Sequence, residues 1–466
     1  MEEYNNEKQL LAANIFKLAA HFGEEYISGI AQRAVGPGKS ELDALKHFNT
    51  ELPITGANPF EVVKTLHQFG SPATMATTGG RFFGLVVGGV TPAALGASVL
   101  TAAWDQVAIV EATAPSAIYL ERLAGNWLLQ LFRLPSDCSV GFTTGTTVSN
   151  LVCLAAARNE LYARLGFDLA EDGLSGVPPL KVLVSEQSHV TVFKALSILG
   201  IGNSQIQRLP CDLQGRINPA GFSEVDESTI VCLQAGNVNS GSFDQFDVIV
   251  PHIRAKGGWV HVDGAFGLWA AASPDKHHLI KGVELADSWA VDAHKWLNTP
   301  YDCGIAICRH AQSVHNVMTT QAPYLTPNVC VPPKDMVPEF SRRARGVEVW
   351  AAIQEMGKEG IRDLINRCCD HAKVLSEGLK RIGFEILNDV VLNQVVATIG
   401  TDEDIADITR MVLEQGICWF GTTYWQGKTA IRLSVASWMT TSDDIHLTLD
   451  AIEMATHAVL AGKQPQ

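Results

Sequence analysis

The sequence predicts an α/β protein, with a large domain built on a mostly parallel sheet and a smaller α+β domain towards the C-terminus. Short apolar runs alternate with longer helical stretches between residues 76 and 330, and polar or charged residues directly follow several of those runs. A long helical stretch then precedes a second group of strands. At 466 residues, of which 47% are hydrophobic, the chain is long enough to bury a sizeable core.

The first 75 residues are predicted to form a helical arm. Gly36-Pro37-Gly38 separates one helix of this arm from the next. The arm has an apolar side but little core of its own, so we expect it to pack on a partner subunit. We assign residues 76–345 to the large domain and residues 346–466 to the small domain.

Residues 82–104 carry no charge and are long enough to cross a bilayer. Gly88-Gly89 interrupts this stretch, and Thr91-Pro92 is typical of a helix N-cap followed by proline in the first turn. We therefore interpret it as an extended segment followed by a buried helix, and we expect no membrane partner.

The strands of the large domain are predicted from their apolar runs. They are expected at Lys181–Val184, Thr229–Leu233, Trp259–Val262, Ser288–Val291 and Gly304–Cys308. Ligands of such sheets bind beyond the carboxyl ends of the strands, so the residues after these runs are candidates for a site.

The small domain is expected after a long helix over Gly346–Leu379. Its strands are predicted at 395–399 and 430–434, and its helices at 405–415 and 442–460. Thr401 or Asp402 and Thr441 or Ser442 supply the helix start signals.

Composition restricts the class of partner. A net charge of -14 and an isoelectric point near 5.4 argue against nucleic acid or an anionic membrane. Ten cysteines without a C-x-x-C pair or zinc-finger spacing predict reduced thiols and no metal site. The acidic, polar start differs from a secretory signal, so we expect a cytoplasmic protein.

Lys295 is the main chemical candidate. His294-Lys295-Trp296 follows an apolar strand, where a lysine can hold a carbonyl cofactor as a Schiff base, although an isolated lysine is usually exposed. Asp263 ends another strand, and an aspartate facing the ring nitrogen of pyridoxal phosphate keeps that nitrogen protonated. The alternative for Asp263 is an ordinary turn residue before Gly264.

Two further helix starts complete the pattern of candidate cofactor-binding residues. Thr144-Gly145-Thr146-Thr147 opens a long apolar helix, whose free N–H groups and positive dipole end suit a phosphate, although a plain N-cap looks similar. His189 follows the strand at 181–184 and can lie on the cofactor ring while reaching a substrate carboxylate. A lone histidine would more often be structural, but its position at a third strand end matches the other two.

These residues resemble the group II pyridoxal-phosphate-dependent amino acid decarboxylases, which include aromatic amino acid, histidine and glutamate decarboxylases. The resemblance covers most of residues 45–450. The matching runs are Ser116–Glu121, the loop Thr144–Thr147, Ser185–His189, Ser242–Asp244, His261–Ala265, His294–Trp296 and Arg342–Arg345.

The resemblance implies fold type I, the aspartate aminotransferase-like fold, and a homodimer with active sites at the subunit interface. It implies that Lys295 forms the Schiff base, that Asp263 pairs with the pyridine nitrogen and that His189 stacks on the ring. Gly145, Thr146, Thr147 and His294 would hold the phosphate, and Ala265 would lie beside the cofactor. Asn239 stands where relatives often have threonine, and Asp292 stands where many have asparagine, which puts a neutral contact there in doubt.

The predicted function is removal of the α-carboxylate of an L-amino acid as carbon dioxide. The alternatives are another fold type I pyridoxal enzyme, such as an aminotransferase or an aldehyde synthase, or a non-catalytic dimeric binding protein. Arg81 and Arg345 are interpreted as structural ion pairs rather than as partners of an acidic side chain. Arg432 is ambiguous, because fold type I transaminases use an arginine of the C-terminal domain to bind the α-carboxylate, and keeping that charge paired would oppose decarboxylation. Residues 318–339 are a candidate lid, and Tyr324 in it is either a proton donor or an apolar anchor.

Overall fold

The computed structural model describes residues 2–222, 224–320 and 331–462, and Tyr324 lies outside them. The helices among the described residues are α1 Glu2–Ser28, α2 Lys39–Ala44, α3 Pro59–Thr65, α4 Pro92–Trp104, α5 Pro115–Phe132, α6 Thr146–Arg164, α7 Leu169–Asp172, α8 Val190–Ile198, α9 Phe246–Ala255, α10 Ala293–Trp296, α11 Ala311–Met318, α12 Gly346–Ile382, α13 Asp402–Gln415 and α14 Ser442–Ala461. The strands are β1 Ser139–Thr143, β2 Lys181–Ser185, β3 Ile206–Leu209, β4 Thr229–Gln234, β5 Trp259–Asp263, β6 Ser288–Asp292, β7 Gly304–Cys308, β8 Glu385–Ile386, β9 Gln394–Thr398, β10 Gly421–Trp425 and β11 Lys428–Ser434.

The large sheet has the strand order β1-β7-β6-β5-β4-β2-β3. The pairs from β6 through β3 are parallel, whereas β7 runs antiparallel to both β6 and β1. The predicted fold class is confirmed, and all five predicted strands are present to within a residue. The domain boundaries at 75 and 345 stay predictions.

Helices cover both faces of this sheet, so its central strands are wholly buried. Successive residues point to opposite faces: Val182 and Val184 pack in a cluster with α6, α8 and α11, whereas Leu183 packs in a cluster with α5, α9 and α12. This explains why the strands read as continuous apolar runs. The short strands β1 and β3 were not predicted.

The small domain has a four-stranded antiparallel sheet in the order β10-β11-β9-β8. Its helices α13 and α14 begin with capping boxes in which Thr401 and Thr441 bond to Asp404 and Asp444. The start signals predicted at these threonines are therefore correct. The long helix α12 is interrupted at Gly357, whose φ of 60° is not helical.

In the uncharged stretch 82–104, a segment with a turn at Leu85 and Val86, both of positive φ, precedes α4. The predicted helix is present, but the prediction that it is buried is wrong, because only Ala94, Ala97 and Thr101 of α4 are buried. Thr91 occupies the N-cap position of α4, but its side chain makes no capping bond. In the part of the chain that the structure describes, no helix combines the length and apolar character needed to cross a bilayer.

Candidate active site

A cavity of about 420 Å³ lies at the carboxyl ends of β4, β5 and β6, beside the starts of α6 and α8. Its size is in the range of small-molecule sites. It brings together nine of the ten residues predicted for the site: Gly145, Thr146, Thr147, His189, Asp263, Ala265, Asp292, His294 and Lys295. The tenth, Asn239, does not line the cavity.

Lys295 lies on the one-turn helix α10, directly after β6. Its Nζ is 3.0 Å from Oδ2 of the buried Asp292, and Nε2 of His294 is 3.6 Å from the same oxygen. Burial would raise the pKa of Asp292, but the charges of Lys295 and His294 and the bond from Thr146 hold it below its usual value. The amine therefore faces a permanent carboxylate.

The Thr144–Thr147 loop forms a narrow cradle at the start of α6. A Cβ on Gly145 would already be in van der Waals contact with the ring of His294, 3.4 Å from its Cε1. Oγ1 of Thr146 is buried and has no hydrogen-bond partner among the described residues, which fits a phosphate acceptor. The backbone N–H of Thr146, however, donates to Oδ1 of Asp292 at 2.7 Å.

Asp263 ends β5, the strand that pairs with β6, and is buried. Its Oδ2 accepts a hydrogen bond from Nδ2 of Asn150 at 3.3 Å, and its Oδ1 accepts one from the N–H of Ala265 at 3.2 Å. Burial raises the pKa of Asp263, whereas His189, Lys295 and the bond from Asn150 act in the opposite direction. A cationic partner such as a protonated ring nitrogen would favour the ionised form.

His189 is the N-cap residue of α8. Its Nδ1 lies 2.8 Å from Oγ1 of Thr191 and accepts the backbone N–H of that residue at 3.4 Å. Burial lowers the pKa of His189, so the ring is neutral near pH 7 and keeps its proton on Nε2. The cap thus orients an imidazole N–H in the cavity wall.

His294 and Tyr301 form an aromatic pair in the same wall. Their ring centroids are 4.3 Å apart, and Nδ1 of His294 accepts the N–H of Cys303 at 3.0 Å. The side chain of Tyr301 is 58% exposed, so only part of it contributes to the cavity wall; local desolvation still raises the pKa of its hydroxyl to about 12, and the hydroxyl stays protonated at neutral pH. Sequence reasoning missed Tyr301, although it stands only six residues after Lys295.

Arg432 of β11 lines the cavity and makes no ion pair among the described residues. Its Nη1 donates to the carbonyl of Val238 at 3.2 Å and to Oδ1 of Asn239 at 3.4 Å, and burial lowers its pKa. Asn239, which also accepts from Thr423, therefore supports Arg432 instead of lining the cavity. An unpaired guanidinium in a cavity is a site for an anion.

The other two arginines considered for the substrate are paired elsewhere. Arg81 lies 3.5 Å from Asp444, and Nε of Arg345 donates to Asp302 at 2.9 Å. Their interpretation as structural ion pairs agrees with these contacts.

A fold type I architecture, an amine and a carboxylate in one cavity, and a helix-start cradle with an unsatisfied hydroxyl together define a pyridoxal-phosphate enzyme. The chain belongs to the pyridoxal-dependent decarboxylase family, whose conserved domain matches residues 43–399. Its cofactor is therefore pyridoxal phosphate, and it is a lyase that decarboxylates an amino acid.

The chain resembles known proteins whose names give different substrates. It is 26% identical to tryptophan decarboxylase 1 of Oryza sativa subsp. japonica over 444 residues, 87% of this chain and 86% of that protein. It is 27% identical to cysteine sulfinic acid decarboxylase of Rattus norvegicus over 66% of this chain and 64% of that one. The crystal structure of Oryza sativa TDC with PLP and tryptamine has a TM-score of 0.89 and 23% identity, covering 96% of this chain and 98% of its own, which shows the shared fold.

Proposed function

We propose that Lys295 binds the cofactor covalently in this cavity, and that the enzyme releases the α-carboxylate of an L-amino acid there as carbon dioxide. The observation that supports this most directly is the unpaired Arg432 in the cavity that also contains Lys295 and Asp263. The cofactor requires an amine for the Schiff base and a partner for its ring nitrogen, and the amino acid requires a group that binds its carboxylate.

Different residues of the cavity bind different parts of the cofactor. Thr146, Thr147 and the start of α6 hold the phosphate, Asp263 pairs with the ring nitrogen, and His189 covers the ring. When bound, pyridoxal phosphate withdraws electrons from the carbon that loses the carboxylate, most strongly when its ring nitrogen is protonated. Asp292 keeps the amine of Lys295 oriented until the cofactor arrives.

Arg432 selects for amino acids over amines. Every amino acid has an α-carboxylate, and a guanidinium whose partners among the described residues are carbonyl oxygens gains a charge-assisted bond when that carboxylate binds. The amine product lacks the carboxylate, so it leaves more easily than the substrate. Asn239 holds the guanidinium in place.

A proton must replace the departing carboxylate. Tyr301 is in the cavity wall, keeps its proton at neutral pH and stacks on His294. These contacts favour Tyr301 as the proton donor, with Lys295 and His189 as the other proton-bearing groups of the cavity.

The protein acts as a homodimer in which the N-terminal arm covers a second copy. Leu10, Phe16, Leu52 and Ile54 of the arm are exposed, and Ile54 is fully so. Exposed apolar side chains in such number mark an interaction surface. The nine described cysteines are all unpaired, which supports a reducing compartment such as the cytoplasm.

The experiment compares wild-type protein with Lys295→Ala, each incubated separately with the common L-amino acids. The wild type should release carbon dioxide and an amine from at least one of them without a keto acid, and should lose its Schiff-base absorbance on borohydride treatment. Lys295→Ala should show neither property while keeping its fold. Turnover that needs a keto acid would instead indicate an aminotransferase, and an aldehyde product with oxygen uptake would indicate an aldehyde synthase.

A further inference from the structure

Behind Asp263, a chain of buried side chains runs across the sheet, away from the cavity. Nε1 of Trp259 is 3.0 Å from Oγ of Ser288, which is 2.9 Å from Nδ1 of His261. Nε2 of His261 is 2.8 Å from Oδ1 of Asn150, whose Nδ2 bonds to Asp263 at 3.3 Å. Trp259, Ser288, His261 and Asn150 are all 0% exposed.

The two ends of the chain determine the direction of every hydrogen bond in it. The indole N–H of Trp259 can only donate, and an ionised Asp263 can only accept. Burial lowers the pKa of His261 to about 3, so its ring is neutral and carries a single proton. That proton must lie on Nε2, facing Oδ1 of Asn150, and the hydroxyl of Ser288 must then donate to Nδ1.

We propose that Trp259, Ser288, His261 and Asn150 form a directed hydrogen-bond chain that holds Asp263 in its ionised form, facing the cavity, and so keeps the ring nitrogen of the cofactor protonated. This rests on the proposed pairing of Asp263 with that nitrogen. The four are positioning residues, since they act through Asp263.

The physical reason is the cost of burying a carboxylate. Asp263 has no cation bonded directly to it among the described residues, and the cofactor nitrogen is cationic only if the carboxylate stays charged. Donors that all point towards one acceptor polarise one another, so the last N–H in the series binds a negative charge more strongly than an isolated amide would. A chain with mixed directions would lose this effect.

The hydrogen-bond chain also links the neighbouring strands β5 and β6 to α6. Trp259 and His261 lie on one face of β5, Ser288 starts β6, and Asn150 lies on α6. All the side chains between Trp259 and the carboxylate are neutral, so the chain carries polarity without a second buried charge. This avoids the desolvation cost that a buried ion pair would add.

The first test uses unmodified wild-type protein and needs no activity. Nitrogen-15 NMR of histidine-labelled protein should show His261 as the neutral tautomer with the proton on Nε2, from about pH 5 to pH 8. A proton on Nδ1, or a charged ring in this range, would overturn the proposal because the donors would then no longer run towards Asp263.

The second test compares Ser288→Ala with Ser273→Ala. Ser273 is equally buried and makes one side-chain hydrogen bond, at 2.7 Å to Asn366, where Ser288 makes two, and it lies outside the hydrogen-bond chain. With nitrogen-15-labelled pyridoxal phosphate, Ser288→Ala should shift the ring-nitrogen resonance towards the unprotonated value and weaken cofactor affinity about threefold. Ser273→Ala should leave both unchanged, and Ser288→Thr, which keeps the hydroxyl, should restore both.

Asp263→Asn separates this proposal from the proposed function. If Asp263→Asn shifts the ring-nitrogen resonance but Ser288→Ala behaves like Ser273→Ala, the hydrogen-bond chain has only a structural role. The proposal of a directed chain then fails, whereas the pairing of Asp263 with the ring nitrogen stands. If Asp263→Asn leaves the resonance unchanged, the pairing of Asp263 with the ring nitrogen fails, and the proposal fails with it.

Discussion

Oδ2 of Asp292 lies 3.0 Å from Nζ of Lys295, while Oδ1 of the same carboxylate accepts the backbone N–H of Thr146. One buried acid thus joins the anchoring lysine to the cradle expected to hold a phosphate. The pKa of Asp292 lies below its ordinary value, so the carboxylate is charged at neutral pH. The cradle therefore holds a negative charge that an asparagine at this position would remove, although the amide oxygen of asparagine could still accept the N–H of Thr146.

The first prediction follows from this charge. Two like charges about 4 Å apart repel by roughly 4 kcal/mol at the effective dielectric of a protein surface. Asp292→Asn should therefore bind pyridoxal phosphate at least about tenfold more tightly relative to pyridoxal, which lacks the phosphate. Binding titrations of both aldehydes to both proteins measure this ratio, and an unchanged ratio would show that the phosphate avoids Asp292.

The second prediction concerns Gly88, which packs against the backbone of Lys295. A Cβ at this position would lie 1.8 Å from the carbonyl oxygen of Lys295 and 2.6 Å from Nδ2 of Asn298. Gly88→Ala should lower the free energy of unfolding by about 3 kcal/mol and reduce cofactor retention, since the backbone must move. Urea unfolding and cofactor absorbance test this, with Gly421→Ala as the near-neutral control, because a Cβ there would have no atom of the described residues within 4 Å apart from its chain neighbours.

The third prediction distinguishes two tyrosines. Tyr301 lines the cavity, so Tyr301→Phe should lower kcat about a hundredfold while cofactor content stays the same. Tyr424→Phe serves as the control, because Tyr424 is similarly exposed (69%, against 58% for Tyr301) but is not among the residues that line the cavity. Full activity in Tyr301→Phe together with a large loss in Tyr324→Phe would assign the proton to Tyr324 instead.

The fourth prediction concerns the pH dependence of stability. Burial lowers the pKa of His261 from 6.5 to about 3. Below about pH 6.5, His261 therefore binds a proton in the unfolded state but not in the folded protein. His261 therefore stabilises the fold less and less as the pH falls from 6.5 towards 3, by up to about 1.4 kcal/mol per pH unit. His261→Asn should remove this part of the slope between about pH 6.5 and 5.

The measurement is the free energy of urea unfolding of the apoprotein across this range. His446→Asn, at an exposed histidine, is the matched control and should keep the slope of the wild type. An identical slope in His261→Asn would mean that His261 is protonated in the folded protein, contrary to its burial among neutral groups.

The order of elements and most site residues could be predicted because they depend on local pattern. Strands covered on both faces read as apolar runs, and the residues after them, such as Asp263 and Lys295, must lie at the same edge of a parallel sheet. The starts of α13 and α14 were predicted for the same reason, since a capping box spans only four residues. The short strand β3 was missed because its sequence, Ile-Gln-Arg-Leu, has no distinct run.

Local sequence pattern is sufficient to specify the fold class, the chemistry of the candidate lysine and aspartate, and the edge of the sheet where they lie. Which groups meet at that edge depends on the tertiary structure. Thr146 and Asp292 are 146 residues apart, and Asn150 and His261 are 111 apart, so their bonds depend on strand order and helix packing. The same holds for Arg432, because whether a charge is paired depends on neighbours that folding brings close and that no local pattern specifies.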